Sequence, residues 1–433
     1  MIYSSSLRFA ALTAVSFSLL ASPVVAGDAD WPQWRGPNRD GHAAPQALLS
    51  SWPAGGPAIK WEFKDAGIGY SAFAIVDGVM FTMGTRDDGC YTMAIDTTDG
   101  QLLWQSRISR ASTGEDYAHG WGGGPRSTPT VDGEFIYVLS DVGVLACLTA
   151  DQGEVVWSVD FVERFESMIP KWGFSESVLI DGDRVIATPG GNVFMVGLDK
   201  RTGEQVWASQ EHSESAQYVS PIIHTVDDVS FYVTAGKSGL VAFDAESGKL
   251  LFKNGATGND VAVIPTPLAV DNLLYHTSDY GAGNVLLKLT AGENRTIDAE
   301  QVYHESIKSM QNHHGGVILL DDTIYGSSKV SGGVWMAQNF ADGETLWVER
   351  MRPNRSGAIA YADGRLYCYN DEDATVLLVD PNREAFKSVG ELKLPTTTST
   401  DRGSGAIWAH PVIADQTLYL RDQELIFAFD IAR

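Results

Sequence analysis

The sequence predicts an all-β fold, an eight-bladed β-propeller of four-stranded antiparallel blades. The first observation is a recurring motif of the form Ala-Leu-Asp-x-x-x-Gly-x-x-x-Trp, whose copies are AIDTTDGQLLW, CLTADQGEVVW, GLDKRTGEQVW, AFDAESGKLLF and AQNFADGETLW. The second is a set of eight turns between apolar runs, 42 to 55 residues apart, which is the length of one blade. These turns lie at Asp77, Asp132, Asp181, Asp227, Asp271, Asp321, Asp363 and Asp415.

Each repeat contains the residue types that strands and tight turns require. In STPTVDGEFIYVLS (127–140), β-branched and aromatic residues flank the pair Asp132-Gly133, which is typical of a short β-hairpin. In the recurring motif, the Asp ends a third strand, and the Gly permits the turn into a fourth. The Trp then offers a flat apolar surface to a neighbouring unit. Because one blade cannot bury that surface alone, the units are expected to pack against each other.

Two repeats depart from the motif, and the last one is incomplete. The segments 286–303 (LLKLTAGENRTIDAEQVY) and 377–389 (LLVDPNREAFKSV) lack the Gly and Trp in register, so we expect looser blades or insertions there. The final unit ends at AFDIAR without an outer strand. The segment 57–61 (PAIKW) has an aromatic residue at the right offset, so it is predicted to complete the eighth blade. Closing the ring in this way would remove the exposed edges of the sheets. The propeller is therefore expected to span 57–433.

These repeats resemble the tryptophan-docking repeats of the pyrroloquinoline quinone (PQQ)-like eight-bladed propellers, which include BamB and the quinoprotein alcohol dehydrogenases. The resemblance runs from about Lys60 to the C-terminus. In the dehydrogenases it implies PQQ over a Trp floor, a disulfide between adjacent cysteines, and a calcium-like ion held by Glu, Asn and Asp. This chain has no adjacent cysteines, and those ligands fall on no matching motif. We therefore predict no cofactor and no metal site, and PQQ with Ca²⁺ belongs to the alternative function.

The N-terminus predicts export. Arg8, the apolar run that follows and the small residues at 24–26 resemble a secretory signal peptide spanning 1–26, cleaved after Ala26. A short membrane anchor is the alternative. No cysteine lies at the processing site, so a lipoprotein is not expected. Residues 27–56 are expected to form an ordered strap across one face of the disc, with three indoles docked: Trp31, Trp34 and Trp52. An alternative interpretation of the WPQWRGP segment within this strap is that it is a binding motif.

Composition limits the partners. The formal net charge of −24 argues against nucleic acid and against anionic membrane surfaces, and leaves neutral or cationic ligands. The three cysteines, Cys90, Cys147 and Cys368, lie in β-like runs and are expected to be small buried hydrophobic residues. No segment after the signal is long and apolar enough to span a bilayer. We expect a monomer.

A candidate site lies at the mouth of the central channel, where the chain leaves one blade and enters the next. Aromatic, basic and amide residues concentrate at these entries, and small residues beside them let backbone amides approach a ligand. Imidazoles there would be neutral near pH 7 and charged below about pH 6.5, so binding is expected to depend on pH. Packing between blades is the alternative interpretation. The candidate ligand-binding residues are Tyr70, His119, Trp121, Arg126, Trp172, Asn312, His313, His314, Arg355, Trp408 and His410.

These observations lead to a function only in outline. The predicted function is a periplasmic or secreted propeller that binds or scaffolds a protein or carbohydrate partner. The alternative is an oxidoreductase similar to the PQQ-dependent dehydrogenases of alcohols or polymer alcohols. No nucleophile elbow or phosphate-binding loop is present in the sequence, so no catalytic residue is assigned.

Overall fold

The structure is a computed structural model that describes residues 29–350 and 356–433. The predicted signal peptide and Arg355 lie outside these ranges. The described residues form eight four-stranded antiparallel sheets, each ordered from the innermost to the outermost strand. Seven sheets are continuous in sequence, and the eighth combines the last three strands of the chain with the first. The predicted all-β, eight-bladed propeller is confirmed.

The strands follow the repeats. Blades 1 to 4 comprise β2 Ala74–Val76, β3 Val79–Arg86, β4 Gly89–Asp96, β5 Leu102–Ser109; β6 Thr130–Asp132, β7 Phe135–Leu139, β8 Val144–Thr149, β9 Val155–Asp160; β10 Leu179–Asp181, β11 Arg184–Ala187, β12 Val196–Asp199, β13 Gln205–Ala208; β14 Ile222–Val226, β15 Val229–Gly236, β16 Gly239–Asp244 and β17 Leu250–Asn254. Blades 5 to 8 comprise β18 Leu268–Val270, β19 Leu273–Ser278, β20 Gly283–Gly292, β21 Thr296–Glu305; β22 Val317–Leu320, β23 Thr323–Ser328, β24 Val334–Asn339, β25 Thr345–Glu349; β26 Gly357–Ala362, β27 Arg365–Asn370, β28 Thr375–Val379, β29 Ser388–Lys393; β30 Val412–Ala414, β31 Thr417–Asp422, β32 Leu425–Asp430 and β1 Ala58–Phe63. One short helix, α1 Phe161–Phe165, and two 3₁₀ turns, His119–Trp121 and Val330–Gly332, lie between strands.

The eight predicted Asp turns all join an innermost strand to the second strand. In six of them the Asp is the first turn residue and has a positive φ, as at Asp77 with φ 50°. In blades 2 and 3 the Asp instead ends the strand, and the following glycine, Gly133 or Gly182, takes the positive φ. All eight turns lie on one face of the disc, the turn face. The opposite face, where each innermost strand begins, is the mouth face.

Neighbouring blades are joined by the indoles of the recurring motif. The ring of Trp104 in blade 1 packs on Gly153 of blade 2, where an added Cβ would lie 2.4 Å from the ring. Its Nε1 donates a hydrogen bond to the Ala150 carbonyl at 3.0 Å. Trp157 and Trp207 pack in the same way on the motif glycines of blades 3 and 4. The motif glycine therefore serves two needs, a positive φ and room for the preceding blade's indole.

The two repeats that lack the motif keep four strands by different means. Blade 5 carries an insertion, a hairpin of two ten-residue strands, and Tyr303 replaces the indole against Gly343. In blade 7 an insertion separates β28 from β29, and Gly390 occupies the register position of the tryptophan. Trp52 of the strap packs against Gly390. The strap thus supplies the large aromatic group that blade 7 lacks. The predicted insertions are confirmed.

The ring closes through the N-terminal strand, as predicted. Strand β1 pairs antiparallel with β32, and Trp61 lies opposite Ala428. Its Nε1 donates to the Thr97 carbonyl of blade 1 at 2.7 Å, and its ring packs on Gly100. The fully buried Arg421 lies at the same junction and donates to the carbonyls of Ser71 and Met83. Blades 8 and 1 are therefore joined by the same indole contact as blades 1 to 4, with an additional buried guanidinium.

The strap enters the channel from the turn face. Trp31 forms a β-bridge with Ile75 of blade 1 and is 2% exposed. Trp52 is 8% exposed, and Trp34 is half-buried with its Nε1 donating to Thr266 Oγ1 at 2.8 Å. Trp31 and Trp52 are docked as predicted, whereas Trp34 is only half-buried and lines the mouth end of the channel. The sequence predicts a strap across one face of the disc, but residues 34–39 enter the channel instead, because Arg35 and Arg39 bond to backbone carbonyls there. Residues 42–49 then return across blades 7 and 8, with Asp363 of a hairpin turn accepting from the backbone of Leu48.

Two buried arginines hold the strap in the channel. Arg35 donates to the carbonyls of Gly315 and Val317 at the start of blade 6. Arg39 donates to the carbonyls of Ser177 and Val178 at the start of blade 3. Both guanidinium groups are bonded by carbonyl oxygens, and burial lowers the pKa of Arg35 to about 10 and that of Arg39 to about 9. The strap consequently links blades on opposite sides of the ring.

A buried carboxyl lies close to the Arg39 contacts. Glu176 accepts from the backbone N–H of Thr188 at 2.5 Å and from the Thr188 hydroxyl. Burial raises the pKa of Glu176 to about 7, although these hydrogen bonds and the charge of Arg39 oppose the shift. The cysteines are free and buried, as expected. Across 29–350 and 356–433, no helix is long and apolar enough to cross a bilayer.

Trp61→Ala should destabilise the ring by about 3 to 5 kcal/mol, because it removes a buried indole at the closing junction. Chemical denaturation measures this change. Ile59→Ala is the matched control, since Ile59 lies in the same strand with its side chain 42% exposed. Equal losses for the two variants would contradict the closure contact.

Glu176→Gln should flatten the pH dependence of stability between pH 5 and pH 8. The folded-state pKa is raised above that of the unfolded chain, so the stabilising contribution is complete below about pH 4.5 and is lost as pH rises through about 7. The wild type should therefore lose on the order of 1–3 kcal/mol relative to the variant over this range. Thermal melts at each pH measure the difference, with exposed Glu163→Gln as control. A constant difference would show that Glu176 does not titrate.

Candidate functional site

A cavity of about 310 Å³ opens at the mouth of the central channel. We call it the mouth cavity. Seven blade entries contribute to it, those of blades 1 to 6 and blade 8, together with one residue of the strap and one loop of blade 5. The lining residues are Trp34, Tyr70, Trp121, Arg126, Lys171, Trp172, Ser175, Tyr218, Ser220, Val261, Ala262, Ile264, Tyr280, His313, His314, Trp408 and His410.

The mouth cavity brings together eight of the eleven residues predicted from the sequence. They are distant in sequence and meet because each stands just before an innermost strand. The eight are Tyr70, Trp121, Arg126, Trp172, His313, His314, Trp408 and His410. Their convergence agrees with the proposed site, whose role in binding stays a prediction.

Three predicted residues do not line the cavity. His119 packs on Tyr117 at 4.4 Å between ring centroids, outside the lining. Asn312 is fully buried, and its side chain forms hydrogen bonds with the backbone of Gly316 and Ser327. These bonds fix the turn that contains His313 and His314. Arg355 lies outside the described residues. His119 and Asn312 thus pack or bond within the blade entries, outside the cavity lining.

Six further lining residues carry polar or aromatic side chains that the prediction did not include, among them the hydroxyls of Ser175 and Ser220. Lys171 and Tyr218 occupy the entries of blades 3 and 4, so position alone could have indicated them. Trp34 belongs to the WPQWRGP segment. Tyr280 lies in the loop between β19 and β20, where no entry motif points to it. The φ of Tyr280 is +61°, which costs a bulky residue on the order of 1–3 kcal/mol and is most often retained at functional positions.

Aromatic rings form the walls and the floor of the mouth cavity. Trp172 and Tyr218 pack at 5.8 Å between centroids on one side. Tyr70 and Trp408 pack at 5.2 Å on another. Trp34 rises from the strap and contacts His410 at 4.4 Å, which closes the end toward the turn face. A flat or ring-shaped ligand would therefore meet apolar faces on several sides.

A chain of hydrogen bonds crosses the histidines. The Tyr280 hydroxyl lies 3.2 Å from His313 Nε2, and His313 Nδ1 lies 3.3 Å from His314 Nδ1. Nε2 of His314 is buried and has no partner among the described residues. If the Tyr280 hydroxyl donates to His313 Nε2, then His313 Nδ1 donates to His314 Nδ1, and the proton of His314 is on Nε2. With the reverse tautomers it is an acceptor.

These histidines do not titrate near neutral pH, so the expected charge change below about pH 6.5 is wrong. Burial lowers the pKa of His313 and of His410 to about 3, and burial also places the pKa of His314 well below its usual value. Each lies among aromatic rings rather than beside a carboxylate, and the hydrogen bond of His410 to the His314 carbonyl offsets only part of the cost of burying a charged imidazole. His313 and His410 are therefore neutral near neutral pH, and burial favours the neutral form of His314 as well.

The charged groups of the cavity are donors, and its Ser and Tyr hydroxyls can donate or accept. Nε1 of Trp172 is buried without a partner within the described ranges. Arg126 and Lys171 carry the positive charge, and none of the lining residues is Asp, Glu, Asn or Gln. The guanidinium of Arg126 stands 5.0 Å above the Tyr70 ring, and the Lys171 ammonium stands 4.6 Å from the Trp172 ring. The site is a cationic aromatic cavity on an acidic protein.

The lining does not fit the calcium ion that the quinoprotein resemblance implies. Ca²⁺ takes six to eight oxygen ligands, carboxylates among them, and this cavity offers no carboxylate. Across the described residues, no group of three or more His, Cys, Asp or Glu could hold a metal. The cysteines are also separate and free. No dehydrogenase step is derived from these residues.

Comparisons with solved structures agree with the fold. BamB from Moraxella catarrhalis superposes with a TM-score of 0.55 and 18% identity over 83% of this chain and 94% of that one. The quinohemoprotein alcohol dehydrogenase from Comamonas testosteroni gives 0.63 and 12% over 94% and 82%. A europium-containing methanol dehydrogenase gives 0.65 and 12% over 91% and 89%. At these identities the likeness concerns the fold alone.

No curated protein matches the chain. Residues 91–349, more than half of the chain, match the family described as outer membrane protein assembly factor BamB. The match begins in the third strand of blade 1 and ends with the outermost strand of blade 6, so it covers the repeats in which the indole contacts were described. With its eight blades and motif glycines, the chain belongs to this BamB-like family of PQQ-repeat propellers.

Proposed function

We propose that this protein is an extracytoplasmic binding propeller whose mouth cavity holds a carbohydrate. The observation that carries the proposal is the lining itself, with aromatic rings on several sides and the polar groups of Arg126, Lys171 and the Ser and Tyr residues between them. A sugar ring combines C–H faces, which pack on aromatic rings, with hydroxyl groups at its edge, which need hydrogen-bond partners. The cavity offers both within one enclosure.

The size of the cavity favours a small ligand. A volume of about 310 Å³ is at the lower end of the range for small-molecule sites. One or two sugar rings fit this space, whereas a folded protein could insert only a side chain. Trp34 limits the depth because it closes the end toward the turn face.

A protein partner is the second candidate, favoured by exposed apolar residues on the mouth face. Met168 is 71% exposed and Ile307 is 80% exposed, and both lie in the segments that lead into mouth entries. Trp121 is also exposed at the rim. The family's description as an assembly factor supports a protein partner for this chain. In that case the cavity would receive a side chain of the partner.

The dehydrogenase alternative receives no support from the site. PQQ with Ca²⁺ would need carboxylate ligands beside the quinone, and the donors in the lining are cationic or neutral. A binding role requires no such ligands. We therefore retain binding as the proposed function.

The carbohydrate proposal is tested by calorimetric titration of residues 27–433 with a panel of mono- and disaccharides. At least one should bind, and Trp172→Ala or Trp408→Ala should weaken that binding roughly tenfold or more, because each removes a ring from a wall. Melting temperatures should stay close to that of the wild type. Tyr91→Ala, an aromatic change on blade 1 outside the lining, is the control. Absence of binding across the panel would refute the proposal.

Export is also part of the proposal. The apolar run after Arg8 and the small residues before Gly27 support cleavage after Ala26. Expression of the full chain in a Gram-negative host should yield a periplasmic protein whose N-terminal sequence is GDADWPQ. Ala26→Arg should block processing, since a small residue is required at the cleavage site. A protein that starts at Met1 and stays in the cytoplasm would contradict export.

A further inference from the structure

We propose that the mouth cavity selects an anionic saccharide, a sugar whose carboxylate or sulfate group binds at Arg126 and Lys171. This inference rests on the proposed function and adds the charge of the ligand. It concerns a ligand of one or two rings, and the observations that carry it are the charges, the hydrogen-bonding capacity and the fixed geometry of the lining.

The first observation is the sign of the local charge. The whole chain has a formal net charge of −24, yet the lining contains two cations and no Asp or Glu. Charges more than about 8 Å apart are largely screened at physiological salt, so the two nearby cations dominate the field inside the cavity. The net charge alone indicated a neutral or cationic ligand. The two cations of the lining indicate an anionic ligand at this site.

The second observation is that these cations have no anionic partner. Among the described residues, neither Arg126 nor Lys171 forms an ion pair. Asp141 lies behind the Tyr117 ring, and its carboxylate already accepts from Ser112 and Tyr117. Elsewhere on this acidic protein, arginines such as Arg110 and Arg402 do pair with carboxylates. The lining therefore keeps two cations free where acids are abundant.

The third observation is the fixed position of Arg126. Its Nη1 and Nη2 donate to the carbonyls of Gly124 and Gly122 in its own loop. The rings of Tyr70 and Tyr117 lie 5.0 and 5.9 Å from its central carbon. A guanidinium has five N–H donors, and these two bonds leave the remaining donors without a partner within the described ranges. A preorganised guanidinium of this kind suits a carboxylate or a sulfate.

The fourth observation is the imbalance between donors and acceptors. Arg126 and Lys171 offer charged N–H groups, whereas no side-chain carboxylate or amide lines the cavity. The Nε2–H of His410 is already donated to the His314 carbonyl. Hydroxyl groups such as those of Ser175 and Ser220 can exchange hydrogen bonds with a neutral sugar, but a neutral sugar gives the two cations only neutral acceptors. An anionic group gives them charge-assisted hydrogen bonds, which are stronger.

The test compares matched saccharides on the mature chain. Calorimetry measures the affinity for a uronic acid disaccharide, its neutral counterpart of the same linkage, and an O-sulfated disaccharide. We expect at least one anionic form to bind about tenfold or more tightly than the neutral form. This preference should shrink as salt rises. Acetate and sulfate alone should bind far more weakly, because they lack the ring that contacts the aromatic walls.

Variants separate charge from folding. Arg126→Gln should abolish most of the preference, Lys171→Gln should reduce it, and Arg126→Lys should retain part of it. Lys237→Gln removes an exposed lysine from the turn between β15 and β16 and should change nothing. Melting temperatures identify any variant that fails to fold, and Arg126→Lys then supplies the comparison.

The outcomes distinguish this inference from the proposed function. If the neutral saccharide binds as tightly as both anionic forms, or if Arg126→Gln keeps the preference, the inference is wrong and carbohydrate binding stands. If no saccharide of any kind binds, the proposed function fails and the inference fails with it. A preference for sulfate over carboxylate, or the reverse, identifies the anionic group and supports the inference.

Discussion

The packing of an indole on a glycine of the next blade is the contact on which the rest of this structure depends. It joins four consecutive pairs of blades, from Trp61 on Gly100 at the closing junction to Trp207 on Gly248. The glycine is required for its positive φ and also because a Cβ would collide with the indole. At these junctions a single glycine thus sets the backbone of one blade and its distance from the preceding one. This double use explains why the motif marks the blades so clearly in sequence.

The channel is filled by a different kind of interaction. Arg35 and Arg39 of the strap, and Arg421 at the closing junction, place guanidinium groups in the interior against backbone carbonyls. A planar guanidinium group has five N–H donors, so it can form hydrogen bonds with several backbone carbonyls that the irregular strand entries leave without a partner. Replacing such a group by an apolar one would leave those carbonyls buried and unsatisfied. The strap is therefore part of the interior of the fold, although it lies outside the repeats, and it also forms one end of the mouth cavity.

Much of the fold could be predicted from the sequence because its signals are local. The hairpin at Asp77, the Gly100 turn and the position of Trp61 each need only a few neighbouring residues to be recognised. The candidate site was partly predictable for the same reason, since Trp172 and Trp408 stand at entries defined by the repeat. Tyr280 was not, because it lies in a loop that carries no signal in the other blades. The histidine pKa values also escaped prediction, because burial at the centre of a ring depends on all the blades at once.

The pairing of β1 with β32 joins the first strand of the propeller to the last one. These segments are separated by more than 360 residues of chain, so their contact carries one of the largest loop-closure costs in the molecule. During synthesis, β1 waits without its partner until nearly the whole chain exists. The strap waits too, because Trp52 packs on blade 7 and Leu48 bridges to Ala432. Closure of the ring therefore has to wait for the end of the chain, and a truncation that removes Leu425–Arg433 removes both the partner of β1 and the bridge between Leu48 and Ala432.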